Sequence, residues 1–193
     1  GVAMHPIQRQ LHSDHHHLLL ILKCLSKEVD CFDFDAQRDP DMEVILNALD
    51  YVREYPDKWH HPAEDIIFNL LITKKVKESK LIKKLEKEHN KIIQETEKVN
   101  QLFRAAADDC IVSTSDLIDN ARCYITLQRT HLEKENEFIY PLMDKLFSPE
   151  EWKEIENKVK IQNDPLFNKP SKREFAQLYN HIMELEKEKE KGN

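Results

Sequence analysis

The chain has 193 residues, enough for one well-buried domain with an appendage and too few for two large domains. Charged residues make up 34% of it and only two glycines are present, a mixture that favours helix and gives hairpin turns little to work with. A formal charge of −7 without a broad basic face excludes a general nucleic-acid binder, because phosphate contacts need such a face.

Gly1 to Ala3 read as residues added ahead of a native start at Met4, and GVAMHPIQRQ lacks the apolar region of a secretory signal. No apolar run approaches the roughly 20 residues that span a bilayer. A cytoplasmic protein without membrane contact is expected. From Ile7 to about Val29, apolar residues at Ile7, Leu11, Leu18, Leu22 and Leu25 keep helical spacing, and DCFDFDAQRDPD ends the pattern with aspartates and proline. A second helical pattern begins after Pro40, runs through Met42, Ile45, Leu46, Leu49 and Val52, and resumes as DIIFNLLI. Pro56 and Pro62 fall inside it and predict a break or kink, since each removes a hydrogen bond and crowds the preceding turn.

The third pattern spans roughly Val76 to Ala107, with Leu81, Ile82, Leu85, Ile92, Val99, Leu102 and Phe103 separated by outward Lys and Glu. The fourth runs from about Leu117 to Phe147, behind an STSD cap, with Pro141 bending its last turns. Four comparable helices joined by modest loops predict an all-α fold, an up-down-up-down four-helix bundle over residues 5–147. Residues 148–193 form a C-terminal helical extension packed against it. Capping boxes at Ser148 with Glu151 and at Ser171 with Glu174 open its two helices, and EKEKEK is a solvated end. Cys24, Cys31, Cys110 and Cys123 have no C-x-x-C spacing and are expected as buried thiols in a reducing compartment.

Most of the ten histidines are grouped, eight of them as His12, His15, His16 and His17 on the first helix, His60 and His61 on the second, His89 on the third and His131 on the fourth. Two have a glutamate one turn downstream, His60 with Glu64 and His131 with Glu135, so imidazole and carboxylate share a face. One such pair fits a surface contact. Two pairs on alternate helices, with His15 and His89 in the apolar phase of the other two, point inward to a common centre. Four imidazoles and two carboxylates inside one bundle are costly without a cation and form a sensible ligand set for two transition-metal ions.

These segments resemble the bacterial hemerythrin-like, or HHE cation-binding, family. DHHHLLLIL is similar to its first-helix histidine, YPDKWHHPAEDIIF to its second-helix H-x-x-x-E, KEHNKI to its third-helix histidine, and HLEKENEFIYPLM to its fourth-helix H-x-x-x-E with the aromatic-proline ending. The SPEEW and NDPLF segments are similar to the tail of one branch of bacterial members. The resemblance implies His15, His60, Glu64, His89, His131 and Glu135 as ligands of two non-haem iron ions, bridged by both carboxylates and by an oxo or hydroxo group. The two carboxylates and a hydroxide would leave a pair of Fe(II) ions with little net charge. O2 or NO is the implied small ligand, for oxygen binding, sensing or iron handling; a di-iron redox enzyme is the alternative.

The chain departs from the oxygen-carrying pattern, which has two third-helix histidines one turn apart. Here the neighbours of His89 at that spacing are Leu85 and Ile93. Two positions on a pair of octahedral ions are then open. His61 stands either as the missing fifth nitrogen or as a supporting or surface histidine; His12 and His16 are weaker candidates. Tyr124, seven residues before His131, either hydrogen-bonds a bound ligand or fills the core. Phe68 and Ile92 would wall the centre with apolar groups and favour reversible binding over turnover, and no separate general acid or base is evident. A ferritin-like centre needs two E-x-x-H motifs, and only Glu86 with His89 fits. A helical interaction module with structural zinc is the remaining alternative.

Overall fold

A computed structural model describes residues 4–192 of the chain; Gly1 to Ala3 lie outside the described residues. Helix α1 (Pro6–Asp30) starts with proline at its first position, where no amide hydrogen is needed, and the His5 imidazole caps it by accepting from the Ile7 amide. Helix α2 (Met42–Glu54) is capped by Asp41, which accepts from the Val44 amide. The expected disruption at Pro56 and Pro62 takes the form of a π turn, Pro56–His60, that passes directly into α3 (His61–Thr73). The wider turn keeps the helix continuous through two prolines that an α-helix would have to kink around.

Helix α4 (Ser79–Ala107) is the longest, and α5 (Thr114–Lys134) begins behind the Ser113 cap. A second π turn, Glu135–Ile139, joins α5 to α6 (Tyr140–Leu146), with Pro141 in the first turn of α6. Both H-x-x-x-E helices thus carry a π turn beside a proline, the first ending at His60 and the second starting at Glu135. The four bundle helices are α1, α2 with α3, α4, and α5 with α6. Among the described residues, no helix is long and apolar enough to cross a membrane.

The interior is divided. One apolar cluster holds Leu18 to Val29 of α1, the inner face of α2, Val99 and Phe103 of α4, and Leu117 to Leu132 of α5. The other holds Ile7 and Leu11 of α1, Ile67 to Leu71 of α3, Ile82 and Leu85 of α4, and Ile139 to Met143. His15 lies between Leu11 and Leu18, and His89 between Leu85 and Val99, so a polar belt crosses the bundle between two apolar layers.

The extension covers both layers. Helix α7 (Pro149–Lys158) places Trp152 and Ile155 in the layer containing Ile67, and α8 (Arg173–Lys191) places Phe175, Leu178 and Ile182 in the layer containing Leu22. The Ser148 capping box is present with both of its hydrogen bonds. The expected Ser171 box is absent: α8 starts one residue later behind Lys172, because the Ser171 amide donates instead to Pro165 and closes the NDPLF turn. The cysteines also depart from expectation. Only Cys24 is buried, its thiol pushed up to about 12 chiefly by burial; Cys31 is half-buried, and Cys110 and Cys123 are exposed, the first in a loop and the second on the outer face of α5.

Candidate metal centre

The six residues implied as ligands come together in the polar belt, each at most 2% exposed. Glu64 Oε1 lies 3.2 Å from His60 Nε2 and 3.3 Å from His89 Nε2, while its Oε2 lies 3.4 Å from His15 Nε2. Glu135 mirrors it: Oε1 is 3.3 Å from His15 Nε2, and Oε2 is 3.4 Å from His89 Nε2 and 3.2 Å from His131 Nε2. Two sets have donor atoms within 4.8 Å of one another, His15 with His60 and Glu64, and Glu64 with His89, His131 and Glu135. Glu64 belongs to both.

These contacts have the charges of ion pairs but not the alignment of hydrogen bonds. Glu64 Oε1, both Glu135 oxygens and Nε2 of His89 and His131 are buried without a hydrogen-bond partner. So many unpartnered atoms converging in one belt are expensive unless a cation answers them, and a His/carboxylate set of this kind suits a transition metal.

The other ring nitrogen of each histidine is held. His60 Nδ1 donates to Asp14 Oδ2 at 2.8 Å, His89 Nδ1 to Asp65 Oδ1 at 2.7 Å, His131 Nδ1 to Glu88 Oε2 at 3.2 Å, and His15 Nδ1 to Asn136 Oδ1 at 2.7 Å. The supports form a closed ring: α1 holds the histidine of the second bundle helix, α3 that of the third, α4 that of the fourth, and the turn after Glu135 that of the first. Such partners fix ring orientation and aim Nε2 at the centre.

Sequence reasoning missed all four supports, and also Tyr140. The Tyr140 hydroxyl donates to Glu64 Oε2 at 2.8 Å and accepts from His15 Nε2 at 2.8 Å, with His60 Nε2 at 3.4 Å. It sits inside the donor set, and the only signal was its place in the aromatic-proline ending. Tyr124 does not reach the cluster; its hydroxyl bonds Thr96 at 2.9 Å and Gln128 at 3.1 Å, so it serves the core. His61 is brought against the centre, stacked on His89 with ring centroids 4.5 Å apart and with Asp57 3.7 Å behind its Nδ1, but it belongs to neither donor set. Phe68 and Ile92 are buried, Phe68 with its ring 5.7 Å from that of His89. Glu86 lies outside both sets, as do His12, which meets the Tyr140 ring edge-on, and the exposed His16.

Comparison with family models gives the deciding observation: the hemerythrin HHE cation-binding domain matches residues 7–146. The chain belongs to the hemerythrin family. Comparison with curated proteins and with solved structures gives no match. A hemerythrin HHE domain binds cations, and the buried His/Glu belt is where this one has the donors for it.

Burial opposes charge on every imidazole of this hemerythrin centre, yet the carboxylates outweigh it. Glu64 and Asp14 raise His60 to about 10, Asp65 with both glutamates raises His89 to about 12, and Glu135 with Glu88 raises His131 to about 9. His61 goes the other way: burial and the neighbouring His89 keep it neutral. Without metal, the first three therefore carry protons at pH 7 that a metal must displace. Their contribution to the stability of the metal-free fold is complete below the unfolded value near 6.5 and is lost as pH rises through 9 to 12. Glu64 and Glu135, held below the usual carboxylate range despite burial, contribute above that range, and this is lost as pH falls. Metal uptake at pH 7 should accordingly release protons and tighten as pH rises toward 9. Calorimetric titration in buffers of different ionisation enthalpy checks this, and uptake without proton release would refute it.

Proposed function

We propose that this chain is a non-haem di-iron protein that binds O2 or NO inside its helical bundle. The observation that carries the reading is the pair of donor sets sharing Glu64, which supplies places for two ions. His15 and His60 would hold one, His89 and His131 the other, and Glu64 and Glu135 would be shared between them. His61, neutral, stacked on His89 and 3.7 Å from Asp57 without a hydrogen bond to it, would be the fifth nitrogen on the His89 side. An iron pair held there would supply electrons that can be lent to O2 or NO.

The chain's own residues do the rest. Asp14, Asp65, Glu88 and Asn136 orient the imidazoles, and Phe68 and Ile92 exclude water from one wall. A dry wall favours reversible binding. The second reading, a di-iron redox enzyme, draws support from Tyr140, whose hydroxyl holds a proton inside the donor set where sequence showed no acid.

The test is a visible spectrum with metal analysis on protein loaded anaerobically with Fe(II), exposed to air, then freed of oxygen. Two irons per chain and a charge-transfer band that appears and reverses support the binder. Irreversible oxidation with turnover of a reductant supports the enzyme, and absence of iron uptake rejects both.

A further inference from the structure

We propose that Tyr140 is itself a ligand of the metal centre, binding through its phenol oxygen the ion held by His15 and His60. The inference rests on the di-iron reading and adds a donor of a different chemical class to it. Its first support is spacing. The Tyr140 hydroxyl oxygen stands 2.8 to 3.4 Å from His15 Nε2, Glu64 Oε2 and His60 Nε2. Contacts among the implied ligands themselves are 3.2 to 3.4 Å, so the phenol oxygen, hydrogen-bonded to two of them in the metal-free protein, stands as close to them as they stand to one another or closer.

The second support is the backbone that delivers it. Tyr140 is five residues after Glu135, and in a regular α-helix a residue at that spacing stands about 140° round the axis from its partner. Glu135 and Tyr140 would then face different ways. The π turn changes this: the Tyr140 amide bonds the Glu135 carbonyl, and both side chains reach the centre. A π turn in an otherwise regular helix is a common mark of a functional position. This one has an identifiable product, a second oxygen donor facing the same ions.

The third support is coordination. Four imidazoles, two bridging carboxylates and one small bridge leave one position on each of two octahedral ions. His61 faces the His89 side and Tyr140 the His15 side, so each vacancy has a candidate from this chain. On binding, the phenol O–H bond is replaced by an Fe–O bond and the proton leaves to solvent. An anionic phenolate favours ferric over ferrous iron, and O2 or NO arriving at that ion competes with Tyr140 for its position.

The test is resonance Raman spectroscopy of the full chain, loaded anaerobically with Fe(II) and then air-oxidised, with iron content measured on the same sample. Tyrosinate ring modes enhanced by a visible charge-transfer band are expected in the parent protein. Tyr140→Phe should lose both signals when they are scaled to the iron it retains, while Tyr124→Phe keeps them. Iron bound without tyrosinate modes, or with modes that survive Tyr140→Phe, overturns the proposal and leaves the di-iron reading standing. Absence of iron from the parent overturns both. Should Tyr140→Phe fail to fold, ring-deuterated tyrosine in the parent, with Tyr124→Phe as control, decides the point from the isotope shift of the same modes.

Discussion

Glu64→Ala should abolish paired metal binding and destabilise the metal-free fold by about 3–5 kcal/mol, the usual result of stripping the counter-charge from buried ionised groups. Glu64 stands 3.2 to 3.4 Å from His15, His60 and His89 and takes the Tyr140 hydroxyl bond as well, so its loss orphans four groups at once. Metal analysis and chemical denaturation of the metal-free variant measure the two effects separately. Unchanged iron content would remove Glu64 from the ligand set, whatever the stability.

Asp14→Ala is expected to weaken metal binding about 10–100-fold, the range found when a carboxylate behind a metal-bound histidine is lost. Asp14 is 4% exposed and serves two elements, accepting from His60 Nδ1 through one oxygen and from the Tyr55 hydroxyl, at 2.9 Å, through the other. Leaving those two buried donors without a partner should also cost about 1–3 kcal/mol for each. Asp14→Asn keeps an acceptor and should recover part of both losses. Competition with a chelator reads the affinity, and an Asp14→Ala protein that holds metal like its parent would show that His60 is oriented by packing alone.

The bundle helices and the six converging residues were legible because they depend on periodicity. Leu11, His15 and Leu18, or Leu85, His89 and Ile92, repeat at helical spacing, and a histidine in that phase must point inward whatever the neighbouring helices do. The four supporting residues were not legible, for a geometric reason. Asp14, Asp65, Glu88 and Asn136 are each the immediate sequence neighbour of a converging residue, His15, Glu64, His89 and Glu135 respectively, but each holds a histidine on a different helix. Within its own helix each stands about 100° from its neighbour and looks like a solvated position. Only the adjacent helix reveals what it faces.

Tyr140 was hidden by a different assumption. Counting turns of 3.6 residues from Glu135 sends it away from the centre, and the i→i+5 turn that corrects the count has no sequence signature beyond the following Pro141. Tyr124 is in step with His131 but stands two turns, about 10.5 Å, along α5 from it, and its hydroxyl is taken by Thr96 and Gln128. At Ser171 the amide that Glu174 would take in a capping box donates to Pro165 instead, a contact that composition does not record, and α8 starts behind Lys172.

The closed ring of supports has a consequence for how the protein opens. Each bundle helix contributes a donor to the belt and also props the imidazole of the next, so no helix can fray past the belt without loosening a neighbour, which loosens the one after. A chain of props would have a weak end, whereas a ring has none. The amide hydrogens flanking His15, His60, His89 and His131 should therefore exchange with solvent as one cooperative unit, set by opening of the whole middle of the bundle, while the two apolar layers on either side remain free to breathe separately.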